Sequence, residues 1–134
     1  MRKNISQYNV KNKWLNYKTN VKPIYLRLNT SHISASINID IQCKDVEIQY
    51  LYFKQFKELK FVFENILGKD WDWNFAYKNE YSINYSRITK SITNVNIYDK
   101  NTWPTIFIFF EKNLLKFDLF WKEFNEIFKQ LKLI

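Results

Sequence analysis

The residues best suited to chemistry in this chain are the basic side chains of its first 44 positions. Eight lysines and arginines accompany a single acid, Asp40, so this stretch carries +7 of the formal net charge of +8. Lysine and arginine bind phosphate groups, and exposed aromatic rings among them can stack on bases. The pattern therefore favours binding of an anionic partner, with nucleic acid as the first candidate.

The candidate binding residues share one polar face of two predicted strands and their surroundings. Alternation places Tyr25 and Arg27 on one side of the first strand, and Asn38 and Asp40 on the outward side of the second. A partly buried arginine on a later strand needs an anionic or carbonyl partner. The predicted binding residues are Lys18, Tyr25, Arg27, Asn38, Asp40 and Arg87. An open alternative is a solvated surface where Arg27 only pairs with Asp40 across the strands.

Recognisable catalytic patterns are missing from the sequence. It has one histidine, His32, one cysteine, Cys43, and one glycine, which excludes a Cys/His zinc cluster and a Gly-rich phosphate loop. The nuclease-like triplet Glu58-Leu59-Lys60 is predicted to lie in the middle of a helix. We assign no catalytic residue, metal ligand or cofactor. A small enzyme or ligand binder with a pocket near Arg27, Asp40 and Arg87 stays an alternative.

Two runs in the first half predict an antiparallel hairpin. The first spans residues 23–29, and the second alternates Ala35, Ile37, Ile39 and Ile41 with polar residues. After the central helix, residues 71–78 and 82–90 predict two more strands, with a short strand at 94–98. The first two strands must carry the polar face that contains Tyr25, Arg27, Asn38 and Asp40.

The helical segments have clear boundary signals. Asp45 is expected to cap a central helix that ends at Leu67, before Gly68 in a left-handed cap. Thr102 and Pro104 predict the start of a long C-terminal helix. In that helix a heptad-like seam runs through Trp103, Phe107, Phe110, Leu114, Phe117, Trp121, Phe124, Phe128 and Leu131. Because Leu115, Leu119 and Ile127 lie off the seam, a homodimer through this helix is a hypothesis.

The expected architecture is a single α+β domain. Antiparallel strands flank the central helix, and the long C-terminal helix closes the sheet. Residues 1–13 are expected to be a flexible basic lead-in and 14–134 the domain, with a core rich in aromatic rings. The sequence has neither a signal peptide pattern nor an apolar run of membrane-spanning length, so we expect a cytoplasmic protein without membrane contact.

An ordered set of short patterns resembles an uncharacterised bacterial family, domain of unknown function 4268, in its Bacteroidetes-type version. The patterns are Trp14-Leu15-Asn16-Tyr17-Lys18-Thr19, Leu26-Arg27, Ala35-Ser36-Ile37-Asn38-Ile39, Tyr52-Phe53-Lys54-Gln55-Phe56, Trp71-Asp72-Trp73, Ser86-Arg87-Ile88, Trp103-Pro104 and Phe120-Trp121. The resemblance implies recurring polar residues at Lys18, Arg27 and Arg87, and an association with nuclease-like regions. It also implies a proline where this chain has Lys112, which leaves the continuity of the last helix open.

The sequence predicts a non-catalytic binding module. Its expected partner is nucleic acid, or a nucleic-acid-processing complex of restriction or defence type that includes a nuclease. The two alternatives are the small enzyme or ligand binder above and a domain that acts through homo-oligomerisation.

Overall fold

Alternating apolar residues of the hairpin lie on one face of a four-stranded sheet, in which β1 is an edge strand and β2 a central one. The structure, a computed structural model, describes residues 17–78 and 84–131, so the predicted lead-in at 1–13 lies outside the described residues. The elements follow in the order β1 (Ile24–Thr30), β2 (Ser34–Ile41), α1 (Val46–Glu58), α2 (Lys60–Leu67), β3 (Asp72–Lys78), β4 (Asn84–Thr93), a 3-10 turn (Lys100–Thr102) and α3 (Trp103–Lys129). The predicted α+β class is confirmed.

The sheet is antiparallel throughout, in the order β1-β2-β4-β3. On one face Ile37, Ile39 and Ile88 are fully buried, and the three helices pack against this face to form a common core. On the other face the register aligns Tyr25, Asp40 and Arg87 across three strands. The period of two in the strand sequences thus separates a hydrophobic core from a polar surface.

The central helix begins as predicted but is interrupted. The Asp45 carboxylate accepts a hydrogen bond from the Glu47 backbone N–H at 2.8 Å, which satisfies one free donor of the first turn. At Leu59 the chain leaves helical geometry, with φ −96° and ψ 10°. Its N–H is shared between the carbonyls of Gln55 and Phe56, a tightened turn between α1 and α2. The triplet 58–60 therefore lies at a helix junction, and its predicted mid-helix position was wrong.

Gly68 ends α2 at the predicted position, in a different conformation. Its φ of 103° and ψ of 168° describe an extended backbone with positive φ, a conformation that almost only glycine adopts. The predicted conformation was left-handed helical. A Cβ at this position would lie 2.9 Å from the Asp70 Oδ1. The chain uses this backbone freedom to turn directly from α2 toward β3.

Replacing Gly68 with alanine is expected to lower the free energy of unfolding by about 1–3 kcal/mol, because an L side chain is strained at this φ. Urea denaturation followed by tryptophan fluorescence measures the change. Asn65→Ala, at an exposed position one turn earlier in α2, is the control and should shift stability by less than about 0.5 kcal/mol. Equal stability of the two variants would contradict the strain argument.

The predicted strand at 94–98 was wrong, since this segment is a loop. Asn94 adopts a positive φ of 62°, which ends β4. Side chains then satisfy the loop backbone: the Thr102 hydroxyl accepts from the Asn96 N–H at 3.0 Å, and the Trp103 Nε1 donates to the Ile97 carbonyl at 2.6 Å. Thr102 is thus engaged with this loop and its side chain does not cap α3, although the helix starts at Trp103 as expected.

Helix α3 runs without a break through Lys112 to Lys129. Much of the predicted seam is buried in the chain's own core, including Phe110, Leu114, Phe117 and Trp121. Leu115, Leu119 and Ile127 stay exposed by 49%, 66% and 36%. Within the described ranges, none of the helices combines the length and apolar character needed to cross a bilayer.

Candidate nucleic-acid interface

Asp40 is the centre of the polar sheet face. Its side chain is completely buried, although it lies on the face opposite the helices. Arg87 contacts both carboxylate oxygens, with Nε at 2.7 Å from Oδ1 and Nη2 at 2.9 Å from Oδ2. Arg27 donates to Oδ2 through Nη1 at 3.0 Å. One buried negative charge is therefore held by two guanidinium groups, a cluster of net charge +1.

Each of the two arginines also lies over a tyrosine of its own strand. The Arg27 Cζ is 4.6 Å from the ring centroid of Tyr25, and the Arg87 Cζ is 4.8 Å from that of Tyr85. Both distances fit cation–π contacts. Arg27 also donates to the Gln42 Oε1 at 2.9 Å. The Arg27 side chain is still 38% exposed, so part of a guanidinium group that is held in a fixed position faces solvent.

Asn38 lies on the same face but is buried. Its Oδ1 accepts from the Thr89 hydroxyl at 2.5 Å, and its Nδ2 donates to the Arg27 carbonyl at 3.4 Å. These contacts connect β1, β2 and β4. The structure thus brings together five predicted residues, of which Tyr25 and Arg27 present the most surface.

The sixth predicted residue, Lys18, belongs to an open groove beside β1, which we call the basic groove. It has a volume of about 560 Å³ and contains three basic side chains, those of Lys18, Lys22 and Arg27, together with the half-exposed Tyr25. Its ten described lining residues include no acid: Tyr17, Lys18, Thr19, Asn20, Val21, Lys22, Ile24, Tyr25, Leu26 and Arg27. Asp40 and Arg87 do not line it. The groove therefore does not connect the two arginines in one pocket.

Contacts with α3 fix the segment that carries Lys18 and Lys22. The Tyr17 hydroxyl donates to the Asp118 Oδ1 at 2.6 Å, and the Trp121 Nε1 donates to the Thr19 carbonyl at 2.8 Å. Burial and the neighbouring Asp118 carboxylate raise the pKa of Tyr17 well above its ordinary value. The phenol therefore keeps the proton that it donates at every physiological pH. This anchoring gives the lysines a defined backbone position beside β1.

The comparison with protein families decides where this chain belongs. The model of the family described as Domain of unknown function (DUF4268) matches residues 2–125 of the 134. The chain is a member of that family. The resemblance predicted from the ordered patterns is confirmed. Searches of curated proteins and of solved structures each found no match.

This DUF4268 chain has a second surface with basic and aromatic side chains, at the opposite edge of the sheet. The Lys57 Nζ lies 5.5 Å from the Phe53 ring centroid, and the Lys60 Nζ lies 5.2 Å from that of Trp73. Tyr50 and Phe75 form an edge-to-face pair with centroids 5.5 Å apart. Trp73 is partly buried and packs against the core. We call these residues the lysine–aromatic edge.

Sequence reasoning missed Lys22 and the lysine–aromatic edge. Lys22 lies in an irregular segment, where strand parity assigns no face, and its only signal was the local excess of basic residues. The edge requires α1 and β3 to be neighbours, which the sequence pattern does not specify. Among the described residues, no group of three or more His, Cys, Asp or Glu side chains is arranged to hold a metal ion.

Proposed function

We propose that this DUF4268 domain is a non-catalytic module that binds single-stranded nucleic acid through the basic groove. The observation that carries the proposal is the composition of the groove: three basic side chains and a half-exposed tyrosine, with no acid among the described lining residues. Proteins that bind single strands without sequence preference combine a positively charged groove with aromatic side chains that stack on bases. The groove supplies both components.

The contacts around Asp40 support a defined role for Arg27 and Tyr25. Asp40 and Gln42 hold the guanidinium, and the tyrosine ring lies against it. Tyr25 is exposed enough to stack on a base, and Arg27 beside it would supply positive charge for a phosphate of the same strand. Lys18 and Lys22 would then contact neighbouring phosphates as mobile point charges, which positions the strand without selecting a sequence.

A place in a nucleic-acid-processing complex is a further part of the proposal. It is supported by the association with nuclease-like regions that the family resemblance implies. The nuclease would supply the chemistry, and this domain would supply affinity for the strand. Because both guanidinium groups occupy the oxygens of Asp40, that carboxylate is better suited to position Arg27 than to act as a base or a metal ligand.

Binding is expected to weaken steeply as salt increases, because neutralised phosphates release counterions. With three phosphate contacts on a single strand, the slope of log K against log salt should be about −2, a loss of roughly 20-fold between 50 and 200 mM. Fluorescence anisotropy with labelled single-stranded DNA and RNA oligonucleotides measures the slope. Lys18→Glu/Lys22→Glu should abolish measurable binding at 100 mM salt.

A charge-matched control separates the groove from net charge. Lys44→Glu/Lys129→Glu makes the same change in net charge at exposed positions outside the groove and should retain binding within a few-fold. Lys57→Glu/Lys60→Glu tests the lysine–aromatic edge. If this third variant loses binding while the groove variant keeps it, or if all three pairs have equal effects, the proposed site is wrong.

A further inference from the structure

The basic groove is bounded at one end by a turn of the chain itself. The turn closes where the Ile24 N–H donates to the Val21 carbonyl at 2.9 Å. The Thr19 hydroxyl donates to the Ile24 carbonyl at 2.7 Å, so it joins the two walls of the groove, residues 17–19 and the start of β1. Lys22 belongs to this turn and is exposed. A strand that enters the groove therefore reaches a closed end beside Lys22.

The size of the groove fits one nucleotide rather than a long stretch of strand. Its volume of about 560 Å³ lies in the range of clefts that enclose a single small-molecule ligand. The single-strand grooves of OB folds, by comparison, cover about four to sixteen nucleotides. An internal nucleotide brings one negative charge, whereas three cations, Lys18, Lys22 and Arg27, line this volume. The charge of the groove thus exceeds that of the internal nucleotide that would fill it.

The neighbouring carboxylates do not cancel this excess of positive charge. Two described carboxylates, those of Asp40 and Asp118, contact residues of the lining. Each also has a cation outside the groove: Arg87 contacts both oxygens of Asp40, and the Lys122 Nζ lies 3.2 Å from the Asp118 Oδ2. Most of the positive charge of the lining is therefore left for a ligand.

We propose that the basic groove binds the end of a single strand that carries a terminal phosphate monoester, a specificity that rests on the proposed function. A phosphate monoester carries a charge of about −1.5 to −2 at neutral pH and has three strong acceptor oxygens. Together with the next phosphodiester it supplies a negative charge close to the three positive charges of the lining. Lys22 at the closed end receives the terminal phosphate, Tyr25 stacks on the terminal base, and Arg27 is left for the following phosphodiester.

Competition against an internally labelled oligonucleotide, read by fluorescence anisotropy, tests the proposal. The competitors share one sequence in four forms: with a 5′ phosphate, with a 3′ phosphate, with neither, and closed into a circle. One of the two phosphorylated forms should bind about tenfold more tightly than the form with neither phosphate, because hydrogen bonds to a charged group contribute at least that factor. The two phosphorylated forms identify which end is bound. The circle, which has no end, should compete no better than the unphosphorylated form.

Lys22→Gln tests the position of the terminal phosphate. This variant should lose most of the preference for the phosphorylated end, whereas Lys44→Gln, at an exposed position outside the groove, should keep it. A preference that survives Lys22→Gln would overturn the placement at the closed end. Equal affinity for phosphorylated and unphosphorylated forms, or equal competition by the circle and the phosphorylated form, would overturn end recognition and leave strand binding by the groove intact. If none of the four forms binds, the proposed function is wrong as well.

Discussion

Replacing Asp40 with asparagine is expected to lower the free energy of unfolding by about 3–5 kcal/mol, the usual cost of removing one partner from a buried ion pair. The substitution keeps the shape of the side chain and removes the charge that both Arg27 and Arg87 contact. Urea denaturation followed by tryptophan fluorescence gives the difference. The large effect arises because Asp40 is fully buried and its contacts connect three strands.

Asp72→Asn is the matched control for this prediction. Asp72 lies on the same sheet but is exposed on the edge strand β3, so neutralising it should change stability by less than about 0.5 kcal/mol. Similar stabilities for the Asp40 and Asp72 variants would mean that the buried carboxylate contributes nothing beyond its packing.

Trp73→Ala is expected to cost about 3 kcal/mol, near the lower end for large aromatic truncations because the ring is only partly buried. The indole packs edge-on against Phe53 and Phe63, with centroids 6.1 and 5.2 Å away. Its removal would open a gap between α1, α2 and β3. Thermal unfolding, monitored by circular dichroism, measures the loss.

Phe61→Ala provides the comparison for Trp73. Phe61 is 77% exposed on α2, and its truncation should leave stability within about 0.5 kcal/mol. If Trp73→Ala instead kept its melting temperature and lost affinity for nucleic acid, the lysine–aromatic edge would be the binding surface, and the role assigned to this tryptophan would be wrong.

Local signals in the sequence were sufficient for most element boundaries. The alternation in β2, the cap at Asp45 and the proline after Trp103 each act within a few residues, so they can be recognised without the fold. The break at Leu59 and the loop at 94–98 depend on hydrogen bonds that are made only once their surroundings have formed. Local propensity does not contain that information.

The residues of the candidate site also fall into two groups, those that the local sequence pattern placed and those that required knowledge of the fold. Parity alone placed Tyr25, Arg27, Asn38 and Asp40 on one face, because a strand has a strict period of two. Arg87 meets Asp40 only because β4 pairs with β2 in one particular register, and a hydrophobic pattern does not specify which strands are neighbours. Predicting the basic groove would also have required the knowledge that α3 lies beside the segment that precedes β1.

This last contact has a consequence for the newly made chain. The Tyr17 and Trp121 hydrogen bonds join residues separated by 101 and 102 positions along the sequence. During synthesis the residues of the β1-β2 hairpin are made before those of α3, and a domain generally folds as one unit. The basic segment stays unanchored until α3 is complete. Anchoring of the basic segment, and with it the shape of the basic groove, is therefore expected only once α3 has packed onto the residues that precede β1.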